Sequence, residues 1–135
     1  MSENFSINEL VDNSLSKNYQ KTSEIISESN YKLEDGIIIL RTFLQRAKRL
    51  LNIYEKQENN VNFDSLINDY KPPIFWKDKP VLKKQLKVWN LSKLEIAKKK
   101  VFDTELLIKT KLTNLSDILI KKLLVDLCNL GNSNL

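Results

Sequence analysis

The spacing of apolar residues between positions 33 and 54 constrains the fold most. Leu33, Ile37, Leu40, Leu44, Ala47, Leu51 and Tyr54 follow one another at intervals of 4, 3, 4, 3, 4 and 3, which in a helix of about 3.6 residues per turn lines them up as one stripe. Arg41, Gln45, Lys48 and Asn52 fall on the opposite face. Ile38, Ile39, Phe43, Leu50 and Ile53 widen the apolar side beyond the narrow seam of a coiled coil, so this helix has to pack among several others. The rest of the chain must supply those neighbours.

It does so with more helices. Ser6 and Glu9 have capping-box spacing ahead of Leu10, Val11 and Leu15, and a second short helix is expected from Lys17 to Ser29 with Tyr19, Ile25 and Ile26 on its apolar side. The polar QENNVN segment is a loop, and Phe63, Leu66, Ile67 and Tyr70 then suit two turns of helix that Pro72 and Pro73 must end. Pro80 fits the first turn of a new helix whose inner face is Val81, Leu82, Leu86 and Trp89. Ser92 with Glu95 looks like a second capping box, opening a long helix striped by Leu94, Ala97, Val101, Ile108 and Leu112. Ser116 or Asn114 opens the last helix, which Gly131 ends, and its run from Ile118 to Leu130 leaves only a narrow polar side. No segment shows strand alternation between turn residues. The fold class is therefore all-α, a helical bundle of about five main helices plus short ones, in a single domain over residues 1–135.

Composition removes most chemistry. With no histidine and scattered carboxylates, nitrogen-ligated metals and the common nucleophilic triads have no ligands or base to use. Gly36 and Gly131 are the only glycines, so neither a phosphate-cradling loop nor a dinucleotide fingerprint can be written. No cofactor and no intrinsic enzymatic activity are expected. Cys128 is the only cysteine and lies among leucines, which reads as a small buried apolar residue. Without a disulfide, a signal peptide or a membrane-length apolar run, a cytoplasmic location and no membrane partner are expected.

Charge is divided unevenly. Residues 1–36 carry three Lys/Arg against seven Asp/Glu, whereas residues 71–111 carry twelve against four. A basic half of this kind attracts a polyanion or an acidic protein surface, or is simply a lysine-rich solvated face, the reading adopted for Lys98, Lys99 and Lys100. All three prolines and both tryptophans lie in KPPIFWKDKPVLKKQLKVWNL, residues 71–91. Phe75 and Trp76 beside Lys77, Lys79, Lys83, Lys84 and Lys87 form a candidate single-stranded DNA contact, with rings to stack on bases and ammonium groups to meet phosphates. The competing reading makes Phe75 and Trp76 wedges that seal the bundle, and the two readings can each hold in part, since neighbours in an extended segment point in opposite directions and can leave one ring in and one out. Trp89 reads as core.

The stretch PPIFWKDKPVLKKQLKVWNLSKLEIAKKKVFDTELLIKTKL resembles the C-terminal part of the delta subunit of bacterial DNA polymerase III, the clamp-loader subunit, of the alphaproteobacterial type. The matching residues are Pro72, Pro73, Ile74, Phe75 and Trp76, then Gln85, Leu86 and Trp89, then Leu94, Ala97, Glu105 and Lys109. ELVDNSL and ILRTFLQRAKRLL stand in the right order upstream, while Asn90 departs from the serine or threonine that often follows the tryptophan. Family members are longer and begin with ATPase-like domains, the first of which opens the sliding clamp. The resemblance therefore implies a C-terminal collar domain in which residues 1–31 are a short acidic lead-in from an upstream domain, and in which the sliding clamp is reached only through the missing N-terminal domain. It implies the clamp-loader ATPase and delta-prime subunits as partners, together with primed or single-stranded DNA. Ile118, Leu119, Leu123 and Leu127 are then candidate subunit-interface residues. A free-standing helical nucleic-acid-binding module is the alternative expectation.

Overall fold

The computed structural model describes residues 2–28, 33–57, 62–111 and 116–130. Among them every regular element is a helix, with no strand: α1 is Ser2–Leu15, α2 Tyr19–Glu28, α3 Leu33–Gln57, α4 Phe63–Asn68, α5 Lys79–Val88, α6 Leu91–Lys111 and α7 Ser116–Leu130. The long striped helix is the centre of the bundle. α3 touches α1, α4, α5, α6 and α7, and Ile39, Leu40, Phe43, Ala47, Leu50 and Ile53 along it have no exposed surface. The deepest line is therefore offset from the stripe read in sequence, whose Ile37, Leu44 and Tyr54 are only half-buried. A helix contacted from several sides buries its whole wide face, and the residues that merely broadened the pattern are the core.

The first helix does not stand apart from the bundle. Leu10, Val11 and Leu15 of α1 are fully buried, and α1 packs on α2, α3 and α7. Nor does Ser6 start the helix, since α1 begins at Ser2. In α2, Tyr19 is exposed and Thr22 takes its place in the core with Ile25 and Ile26. Gly36, buried in α3, lets α7 come close, because a Cβ there would collide with the Cδ1 of Ile120. Gly131, Leu112 and Asn114 lie outside the described residues.

Several helix ends in this bundle are closed by side chains from distant parts of the chain. α1 stops in a Schellman motif: the Asn18 amide donates to Asn13 O at 3.0 Å, the Lys17 amide donates to Ser14 O at 3.2 Å, and Lys17 itself has φ 61°. An L-residue there costs roughly 1 kcal/mol relative to glycine. The Lys17 side chain explains why a lysine stands there. Its ammonium donates to Leu127 O, one of the last carbonyls of α7, and sits 3.3 Å from the centre of the Trp89 ring. Trp89 in turn donates its indole N–H to Leu15 O at 2.7 Å, at the end of α1. Tyr54 of α3 places its hydroxyl 2.7 Å from Trp89 O, closing α5. Buried Gln85 donates to Asp12 O at 3.2 Å. Each contact satisfies an orphan carbonyl or a buried donor while joining two helices.

The start of α6 corrects the second capping box. Asn90 Oδ1 accepts from the Lys93 amide at 2.8 Å, so Asn90 is the N-cap, with Ser92 inside the helix and exposed. A residue two positions earlier that can cap as well as serine sets the start. Leu94, Ala97, Val101 and Ile108 form the buried stripe as expected.

Candidate functional site

Two surface regions place side chains where a partner can reach them. The first is the proline segment between α4 and α5. Asn62 caps α4 by accepting from the Ser65 amide at 2.9 Å, and the chain leaves that helix through Pro72 and Pro73, whose peptide Lys71–Pro72 is cis. Ile74 is buried at 8% exposure, while Phe75 at 57% and Trp76 at 67% stand in solvent. The wedge is therefore Ile74, and neither aromatic ring seals the bundle. Alternation along the extended piece turns Ile74 in and Phe75 out. A turn closed by the Asp78 amide on Phe75 O at 2.9 Å then ends the alternation before Trp76 can point inward.

The two rings lie 5.9 Å apart at an interplanar angle of 54°, and the Lys77 ammonium is 5.5 Å from the Trp76 ring centre. Lys79 and Lys83 are drawn to α4, where Lys79 donates to Asn68 Oδ1 at 3.0 Å and Lys83 pairs with Asp64 at 2.6 Å. Lys84 and Lys87 are exposed on α5. Of the lysines singled out in the sequence, Lys77 is the one the structure brings to an aromatic face, and Lys79 and Lys83 have local partners instead.

Beneath Phe75 a cleft is lined by Arg46, Arg49, Tyr70 and the proline turn. Arg46 is held by Asp12 and by Asn8 Oδ1, the latter at 2.9 Å. Arg49 Nε is buried with no hydrogen-bond partner, and burial, reinforced by the charge of Arg46, pushes its guanidinium below the usual arginine range. Sequence reading missed both arginines because they sit on α3, on the polar side of the stripe and remote in sequence from the proline run.

The second region is a face of α6. Ile96, Phe102, Leu106 and Leu107 are 45%, 58%, 53% and 41% exposed, and Ile38 of α3 is 45% exposed. Opposite the buried stripe of α6 lie Ser92, Glu95, Lys99, Asp103 and Thr110, and the exposed apolar residues flank this polar strip, Phe102 and Leu106 on one side and Ile96 and Leu107 on the other. Where α6 crosses α3, Ile38, Leu44 and Phe102 line a groove with Arg41, Lys48 and Glu105 on its banks. Glu105 is engaged there by Arg41 at 3.4 Å and by Lys109 at 3.8 Å. The exposed surface of Phe102 thus continues onto Ile38 and Leu44 of α3.

The interface residues expected on the last helix divide. Ile118 is 60% exposed and Leu119 half-buried, whereas Leu123 at 6% and Leu127 at 0% belong to the core against α1, α2 and α3. A bundle of this size needs the central residues of α7 for its own interior, which removes Leu127 from the surface and leaves Leu123 only the floor of a hollow it lines with Leu119 between α6 and α7. Cys128 is fully buried, with its Sγ 3.6 Å from Thr22 Oγ1 and 3.8 Å from Ser14 O, and burial pushes its thiol up, away from the reactive thiolate. Among the described residues no helix is long and apolar enough to cross a membrane.

No family model matches the chain, and comparisons with curated proteins and with solved structures find no similar protein.

Proposed function

We propose that this chain is a non-catalytic assembly domain, a helical subunit that works by joining other subunits, of the kind the sequence resemblance suggests: the collar of a clamp-loader delta subunit. The observation that carries the reading is the α6 face. Phe102, Leu106 and Leu107, with Ile96 along the same helix and Ile38 beside it, leave large apolar side chains in water on a folded bundle. Large apolar side chains left exposed on an ordered scaffold mark a protein contact, and Phe102 with Ile38 and Leu44 is where they gather. In the collar reading that contact is with the clamp-loader ATPase and delta-prime subunits, and loading of the sliding clamp on primed DNA is the activity of the assembly. Mixing the purified chain with those subunits tests it on a sizing column. Co-elution supports the reading, and separate elution at micromolar concentrations rejects the clamp-loader identity.

A second reading has its own observation. Phe75 and Trp76 are both exposed, Trp76 beside Lys77 and Phe75 at the cleft that Arg46, Arg49 and Asp78 line, and exposed rings next to cations are what a free-standing single-strand-binding module uses. Binding of a labelled oligothymidine to the isolated chain, steeply weakened by salt, supports this reading. Absence of binding at low salt removes it.

A further inference from the structure

The hollow bounded by Ile38, Leu44 and Phe102 continues along the bundle into a second one lined by Leu44, Lys48, Glu95, Lys98, Lys99 and Phe102. Because the two share Leu44, Lys48 and Phe102, they are one groove. Its α3 bank runs from Ile38 to Lys48, a rise of about 15 Å or roughly three helical turns. The floor is aliphatic and aromatic, and four cations, Arg41, Lys48, Lys98 and Lys99, face two carboxylates, Glu95 and Glu105.

The cations are not equally available. Arg41 is engaged by Glu105, and Lys99 by Asp103 at 3.1 Å. Lys48 and Lys98 have no ion pair among the described residues, and they stand on opposite banks of the floor. From this arrangement we infer that the groove docks an amphipathic helix of a partner protein, about three turns long, with apolar side chains three or four residues apart and carboxylates on both flanks. The inference rests on the assembly reading and gives the partner surface its chemistry.

Two other occupants fit less well. A nucleic acid strand would find one aromatic ring, an aliphatic floor and two carboxylates facing its phosphates. A second copy of this chain would have to offer an acidic helix with a free apolar side. Its own acidic helices, α1 and α2, spend Leu10, Val11, Leu15, Ile25 and Ile26 on the core. A three-turn helix bearing leucines toward the floor and a carboxylate toward each of Lys48 and Lys98 is complementary in shape and charge.

The probe is a fluorescein-labelled synthetic helix of about 20 residues, long enough to be partly helical alone, with leucines at three- and four-residue spacing and glutamates on both flanks. Its twin carries lysines in place of the glutamates. Fluorescence anisotropy against the full chain is expected to show the Glu-flanked peptide binding about ten-fold tighter than the Lys-flanked one. The double variant Lys48→Glu/Lys98→Glu should reverse that order, and Phe102→Asp, at an exposed position, should remove binding of both while circular dichroism stays native.

Equal binding of the two peptides, no binding, or a preference untouched by the charge reversal overturns the inference. So does preferential capture of an oligonucleotide in the groove, or a self-association that Phe102→Asp abolishes. The two levels fail separately. Loader subunits that co-elute with the wild-type chain but not with Phe102→Asp, while the Glu-flanked peptide is ignored, keep the assembly reading and sink the acidic helix. Peptide binding without co-elution does the reverse.

Discussion

Replacing Trp89 with phenylalanine tests whether the helix ends are joined as described. In the folded chain the indole N–H closes the last carbonyl region of α1 through Leu15 O at 2.7 Å, the ring carries the Lys17 ammonium at 3.3 Å, and the side chain is 5% exposed. The substitution leaves a buried acceptor unpaired, at about 1 kcal/mol. It removes two ring carbons from the interior, at about 1.5 kcal/mol in transfer terms. Phenylalanine is also a poorer platform for the ammonium, by roughly 0.5 kcal/mol. The expected loss is about 3 kcal/mol, a fall of roughly 10 °C in the melting midpoint for a domain of this size. Urea and thermal unfolding followed by far-ultraviolet circular dichroism measure it. The control is the same chemical change at the other tryptophan: Trp76→Phe, at a ring 67% exposed with no hydrogen bond among the described residues, should stay within about 0.5 kcal/mol of the parent. Equal losses at the two positions, or a loss below about 1 kcal/mol at Trp89, would refute the reasoning.

Further outcomes follow from single contacts. Asn90→Ala should cost about 1 kcal/mol and Ser92→Ala almost nothing, because the cap of α6 is the Asn90 side chain on the Lys93 amide at 2.8 Å; denaturant midpoints of the two variants decide it. Phe75→Ala with Trp76→Ala should leave the unfolding midpoint unchanged, whereas Ile74→Ala should cost about 2 kcal/mol or more, since Ile74 and not the rings is buried. The pH dependence of stability should carry the mark of Lys17. Burial lowers its ammonium from 10.5 to about 7, so between those values the unfolded chain binds the extra proton and stability rises with pH. The increment is absent below about 7 and complete above 10.5. Lys17→Met should flatten the rise across that window, and an unchanged slope would show that the Trp89 face and the Leu127 carbonyl hold the charge at its ordinary pKa.

Much of the architecture was legible because periodicity reports burial directly. The spacing from Leu33 to Tyr54 marked α3 as a helix with many neighbours, Leu94, Ala97, Val101 and Ile108 marked the inner side of α6, and Pro72, Pro73 and Pro80 bounded the segment between α4 and α5. What periodicity does not report is phase and competition. It placed the stripe of α3 one residue to the side of its deepest line, since a wide apolar face has no single centre. It chose Ser92 over Asn90 and Ser6 over the start at Ser2, since a capping pattern is a residue type at a spacing and several positions can satisfy it.

The contacts that join helix ends were invisible for a different reason. Lys17 to Leu127 O and Trp89 to Leu15 O span most of the chain, and nothing local distinguishes Lys17 or Gln85 from other polar residues. The α6 groove was missed because an apolar residue reads as core until a structure shows it has nothing to pack on. Phe102 and Leu106 look no different in sequence from Leu94. The greasy last helix misled in the opposite sense, with Leu123 and Leu127 needed inside and Ile118 left outside.

Hydrogen–deuterium exchange of the chain alone and in the presence of clamp-loader ATPase and delta-prime subunits tests the central claim most directly, because it locates the interface without altering a residue. The assembly account expects new protection concentrated in α6 around Phe102–Leu107 and in α3 around Ile38–Lys48, with α1 and α2 unchanged. Protection that appears only around Phe75 and Trp76, or none at all beside a mixture whose subunits assemble with one another, would contradict it.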